Sequence, residues 1–130
     1  MRSYNLTQEN EIFIFKNCNK MNVYELSKIC NCNPIDIYKF YKIFNLSYKK
    51  DKFVLTERET EIMELVSKGY SNKEITEKCF IENSTLKGHL IHCYQKLNVF
   101  SKQHKDVSTR VRAVLEYLKL TGRFMINLGD

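Results

Sequence analysis

Two copies of one signal constrain this chain more than anything else in it: Thr56-Glu57-Arg58-Glu59 and Ser71-Asn72-Lys73-Glu74. Each is a capping box, in which a Thr or Ser hydroxyl and a Glu carboxylate satisfy backbone donors that the first helical turn leaves free. Between the two boxes Ile62, Met63, Leu65 and Val66 recur at helical spacing, and Gly69 supplies a left-handed stop. The spacing predicts a helix over about 57–68, followed by a helix so short that only Ile75 and Cys79 need burial.

After Phe80-Ile81 the chain turns, and a third helix is predicted from about Asn83 to Lys96. Leu86, Leu90, Cys93, Tyr94 and Leu97 form its core stripe, with Ser84, Lys87, Gly88, Ile91, His92 and Gln95 opposite. Residues 100–109 are polar and aperiodic. From about Ser108 the residues Val111, Val114, Leu115 and Leu118 line one face of a fourth helix that ends near Thr121-Gly122. That face is expected to serve core packing, and where it stays exposed it is a candidate dimer seam. Phe124, Met125, Ile126 and Leu128 make the tail apolar without predicting its conformation.

The polar run at residues 47–52 separates this half from an N-terminal one with the same logic. There a helix is predicted over about 7–17, a second is capped by Asn22 with Glu25, and a third begins at Asn33-Pro34, where Pro suits the first helical position. Val23, Leu26 and Cys30 make the second helix's stripe; Ile37, Phe40, Tyr41 and Phe44 make the third's. Asp36, Lys39 and Lys42 are left on the outer face as a candidate second DNA-binding face. With 4 Gly and 1 Pro there are few breakers, so the fold class is all-α. Two small helical units with two small cores are expected, a three-helix unit resembling a helix-turn-helix over 1–50 and a four-helix unit over 51–130.

The 21 Lys and Arg against 15 Asp and Glu give +6, which favours a polyanionic partner. Residues 1–53 hold 9 basic and 5 acidic groups and the rest 12 and 10, so charge singles out neither half. Five cysteines is an odd number, and no charged and apolar leader opens the chain, so neither a disulfide framework nor secretion is expected. No apolar stretch approaches the roughly 20 residues of a membrane span. A cytoplasmic protein with reduced thiols follows. Cys30, Cys79 and Cys93 fall on core stripes and no CxxC pair occurs, so no metal site is expected. His89 has no nucleophile or carboxylate in view as a catalytic base, so no catalytic residue, enzyme activity, cofactor or small-molecule ligand is expected.

The run LTERETEIMELVSKGYSNKEITEKCFIENSTLKGHLIHCYQKLNV resembles the LuxR/GerE family of bacterial transcription regulators. Leu55, Thr56, Arg58, Glu59 and Glu61 carry the likeness first, then Gly69, Ser71, Asn72, Lys73, Glu74 and Ile75, then Thr85, Lys87, His89, Lys96, Leu97 and Val99. Over residues 55 to about 120 the resemblance implies a helix-turn-helix module whose third helix enters the major groove of double-stranded DNA and whose fourth can pair across a two-fold axis. It implies Lys87 and its outward neighbours at base edges, with Asn72, Lys73 and Thr85 at phosphates; helix N-termini and lysines suit phosphate chemically.

The chain departs from the pattern in three places. Ten residues separate Val99 from Arg110-Val111-Arg112-Ala113-Val114, where the family has a short link, and this loop carries Lys102, His104 and Lys105. Glu82 stands where a small hydroxyl cap is usual. Gly88 and Ile91 occupy outward positions where base readers often have polar side chains. Residues 20–46 resemble, more loosely, small three-helix units of phage and bacterial regulators. Roughly 54 residues before the module are too few for the receiver or ligand-sensing domains commonly fused to it, so control is expected from expression level, from a partner, or not at all.

The leading expectation is a sequence-specific DNA-binding transcription regulator of a bacterium or phage, with a homodimer and RNA polymerase contact as further candidates. The alternative is a protein-interaction module in which the same helices bind polymerase, a sigma factor or another regulator, as a phage-type antagonist would.

Overall fold

The computed structural model describes residues 4–52, 54–100 and 108–123, and among these it holds seven helices and no strand. In chain order they are α1 (Gln8–Asn17), α2 (Val23–Cys30), α3 (Pro34–Ile43), α4 (Glu57–Ser67), α5 (Asn72–Cys79), α6 (Asn83–Lys96) and α7 (Thr109–Leu120). The loop residues Lys102, His104 and Lys105 and the tail residues Phe124, Met125, Ile126 and Leu128 lie outside the described residues.

Local chemistry sets the helix starts. Both hydrogen bonds of the capping box form at α2, α4 and α5, while Asn33 caps α3 by accepting from the Ile35 amide. Each such cap is worth about 1 kcal/mol. At α6 the cap position is Glu82, whose side chain makes no cap hydrogen bond.

The buried side chains form one cluster rather than the two small cores expected. Tyrosines that the periodicity left off the core stripes are the reason. Tyr24 of α2 is 2% exposed, meets the Thr60 hydroxyl of α4 at 2.5 Å, and sets its ring edge-on to Tyr117 of α7 at 6.4 Å. Tyr38 of α3 donates to the Leu55 carbonyl at 2.9 Å. A tyrosine buries a large apolar ring provided its hydroxyl finds a partner, and across this seam both do.

Three further assignments differ from the sequence reading. Phe44, expected on the α3 stripe, is the C-cap of that helix and stays 52% exposed. Cys30 and Tyr94 are half-buried. On α7 the buried residues are Ala113 and Tyr117, whereas Val111 is exposed and Val114, Leu115 and Leu118 are half-buried. The core side of that helix is therefore centred one position away from the aliphatic residues that periodicity picks out, because the phenol of Tyr117 finds an internal acceptor.

That acceptor is Glu64, a buried residue of α4. Its carboxylate receives the Asn33 carboxamide at 2.8 Å, the Tyr117 hydroxyl at 2.6 Å, and both terminal nitrogens of Arg123, which follows α7. Burial pushes the Glu64 carboxyl up, but the hydrogen bonds from Arg123, Tyr117 and Asn33 outweigh it and hold the group below the usual carboxylate range.

Removing a buried charge from its partners is strongly destabilising, so Glu64→Gln is expected to cost about 3 kcal/mol near neutral pH, read from denaturant melts. The sign of the pH dependence follows from the lowered value. Stability contributed by Glu64 is fully present above its unfolded pKa and is lost as the pH falls through the folded one. The gap between wild type and Glu64→Gln should therefore narrow in acid; a gap that stays constant from about pH 7 to about pH 3 would remove the carboxylate from this role.

Candidate nucleic-acid interface

α5 and α6 are held from inside and left bare outside. Ile75 and Cys79 bury the inner side of α5, and Leu86, Leu90, Cys93 and Leu97 bury that of α6. The C-terminal end of α6 is pinned as well: Lys96 donates from Nζ to Glu59 Oε1 at 2.7 Å and to the Val54 carbonyl at 3.2 Å. Burial pushes Glu59 up, but the Lys96 ammonium and the Thr56 amide more than compensate and lower its pKa. Burial pushes the Cys93 thiol up to about 12, so at neutral pH it is a protonated core group. Among the described residues no group of three or more His, Cys, Asp or Glu is placed to hold a metal ion.

The turn between the helices is tight. Phe80, the C-cap of α5, adopts a left-handed conformation at φ 56°, and the Ile81 amide closes back on the Thr76 carbonyl at 3.1 Å. Beyond it the outward side chains of α6 share one face. Ser84, Thr85, Lys87, Ile91, His92 and Gln95 are exposed there, and Gly88 among them is half-buried. A Cβ at Gly88 would meet nothing within 4 Å, so packing within the chain does not require glycine.

At the start of α5, Lys73 is exposed and Asn72 half-buried. Arg110 of α7 donates to Asn72 Oδ1 at 2.6 Å and to the Tyr70 carbonyl at 2.7 Å. The sequence reading missed this clamp. Arg110 stands out in the Arg110-Val111-Arg112 run, but nothing local names a partner 38 residues away.

On α3, Lys39 and Lys42 are exposed and Asp36 is half-buried. The Lys42 ammonium lies 2.8 Å from Glu57 of α4. With the lysine side chain 70% exposed, that pair contributes under about 1 kcal/mol.

Residues 53–109 match the family described as bacterial regulatory proteins, luxR family. The match ends at the first residue of α7, so the face of Val111, Val114, Leu115 and Leu118 lies beyond it. The chain is 51% identical over 49 residues to the oxygen regulatory protein NreC of Staphylococcus carnosus, covering 38% of this chain and 23% of that protein. To NreC of Staphylococcus epidermidis it is 45% identical over 73 residues, 55% of this chain and 34% of that protein. To the transcriptional regulatory protein DegU of Brevibacillus brevis it is 36% identical over 74 residues, 57% of this chain and 28% of that protein. The matched segment thus spans about a quarter to a third of these relatives. No solved structure shows a significant match.

Glycine in an unobstructed helix interior costs roughly 1 kcal/mol against alanine. Gly88→Ala is therefore expected to raise the melting temperature by a few degrees, since about 1 kcal/mol corresponds to roughly 4–8 °C in a domain near this size. An unchanged or lowered value in a thermal melt would mean that something presses on this position.

Proposed function

Residues 53–109 belong to the luxR family of bacterial regulatory proteins, and from that premise we propose that the protein is a sequence-specific DNA-binding transcription regulator with α6 seated in the major groove. The observation that carries this reading is the exposed outer face of α6: a helix fixed along its inner stripe and pinned at Lys96, with the side chains of its opposite side exposed among the described residues. A major groove admits such a helix, and its base edges are read by side chains on the outward face.

In this reading Lys87 donates to a base edge. Ser84, Gly88, Ile91, His92 and Gln95 shape the surface around it, Gly88 letting a base or sugar approach the helix backbone. Thr85, Lys73 and Asn72 hold phosphates. Arg110 already occupies Oδ1 of Asn72, which orients the carboxamide and leaves Nδ2 as the donor. The net +6 supplies the long-range attraction. Homodimerisation through Val111, Val114, Leu115 and Leu118 of α7, a cytoplasmic location and contact with RNA polymerase at the bound promoter belong to the same proposal. Among the described residues no helix is long and apolar enough to cross a membrane.

Two measurements test the reading. Purified protein mixed with random and genomic duplex fragments should retain a subset at low salt and release it steeply as salt rises, because phosphate contacts release counterions. Lys87→Ala should keep the fold and weaken binding to the selected fragments by about 1–3 kcal/mol, relaxing the preference at one position. Retention of no fragment at either salt concentration would favour the protein-interaction alternative.

A further inference from the structure

We propose that the groove bounded by α3, α4 and the end of α5 receives an acidic, amphipathic helical segment of a protein partner. This goes beyond the DNA-binding reading and uses a different surface. The groove has a volume of about 420 Å³, and its apolar lining is Ile35 of α3, Leu65 of α4, and Cys79 and the exposed Phe80 at the end of α5. That volume falls within the roughly 300–1,000 Å³ of small-molecule binding clefts, large enough to take a few side chains of a partner.

Phe80 is the feature that singles the groove out. Its side chain is 93% exposed, the most exposed large hydrophobic residue among those described. It also sits at φ 56°, a conformation in which the Cβ of an ordinary residue costs about 1–2 kcal/mol. Among the described residues the other non-glycine positions of this kind are Asn31, Asn45 and Asn98, where a short polar side chain tolerates the left-handed backbone. At this one turn the chain carries an aromatic that is both strained and solvated, so its presence returns nothing to the stability of the monomer. Exposed aromatics beside a cleft are the residue type that anchors protein interfaces.

The charge around this lining specifies the occupant. Lys39, Lys68 and Lys78 line the groove and are exposed. Among the described residues no carboxylate lies within ion-pair distance of any of the three, while Lys78 interacts electrostatically with Glu74 on its own helix and rests its ammonium 4.8 Å above the Tyr70 ring. The carboxylates of the groove are already engaged, Glu61 with Arg58 at 3.2 Å and Glu64 with Arg123. A positive rim around an apolar lining complements a helix with apolar side chains at i, i+4 and i+7 flanked by Glu or Asp. Duplex DNA would use the lysines but would gain nothing from the apolar lining of Ile35, Leu65 and Phe80.

The test titrates the full ¹⁵N-labelled chain with a synthetic helical peptide of about 14 residues, Leu and Phe on one face and Glu on the flanks, beside a copy with Lys in place of Glu. The acidic peptide should shift the amides of Ile35, Leu65, Cys79 and Phe80, and the lysine copy should not. Phe80→Asn, which suits the left-handed turn and so should melt no lower than wild type, is expected to weaken the acidic peptide about tenfold; Lys39→Glu combined with Lys68→Glu should do the same.

Absence of shifts, shifts confined to other surfaces, equal binding of the two peptides, or unchanged affinity in Phe80→Asn would each overturn the proposal. It also falls if Phe80→Asn leaves the peptide unaffected but weakens duplex DNA as much as Lys87→Ala does, since the groove would then be part of the DNA surface.

Discussion

A buried carboxylate has no inexpensive alternative arrangement, and the placement of Glu64 therefore governs how the other elements meet. Left without partners it would cost several kcal/mol, and removing one partner of a buried charge costs more than the pair contributes when whole. The chain brings it Asn33 from the start of α3, Tyr117 from the middle of α7, and Arg123 from beyond that helix. Asn33 serves twice: its oxygen caps α3 while its amide nitrogen reaches Glu64. The entry of α3, the rotation of α7 about its axis and the chain direction after α7 are all tied to one side chain of α4. Greasy packing alone permits sliding, whereas hydrogen bonds to a fixed carboxylate do not.

Glu59 does for α6 what Glu64 does for the seam. It closes the capping box of α4 by accepting the Thr56 amide, and the same Oε1 accepts the ammonium of Lys96. The start of α4 and the end of α6 are thereby joined through a group that is only 4% exposed. An aliphatic stripe fixes which side of α6 turns inward; this ion pair adds a lock at one end of the helix. The outward face then needs no internal partners to hold its orientation, and its side chains are free to be chosen for what they contact outside the molecule.

What was legible in the sequence is what is decided within four residues. The capping boxes at Thr56 and Ser71 place the starts of α4 and α5 because donor and acceptor lie in the same turn, and the stripe of Leu86, Leu90, Cys93 and Leu97 identifies the inner side of α6 because one helix face carries it. What was not legible depends on partners far along the chain. Glu64 reads as a solvated helix residue until Arg123, 59 positions later, is seen beside it. Tyr117 reads as peripheral to the Val111, Val114, Leu115 and Leu118 face until its hydroxyl is given an acceptor, and Tyr24 and Tyr38 likewise. Apolar periodicity undercounts such residues because half of a tyrosine's case for burial is a hydrogen bond that the one-dimensional pattern does not contain. The expectation of two cores failed for the same reason, since the seam between the halves is built largely from these tyrosines.

α7 occupies a position that the family match stops short of, yet it bonds both to Glu64 of α4 and to the start of α5. At its start Arg110 grips Asn72 and the Tyr70 carbonyl, which places the first turn of α5; toward its end Tyr117 and then Arg123 engage Glu64. One helix thus carries bonds to the start of α5 at one end and to α4 at the other. The half-exposed face of Val111, Val114, Leu115 and Leu118 lies on that same helix. The residues of this face sit on the same helix whose first turn is bonded to the start of α5, while Ala113 and Tyr117 are its buried side.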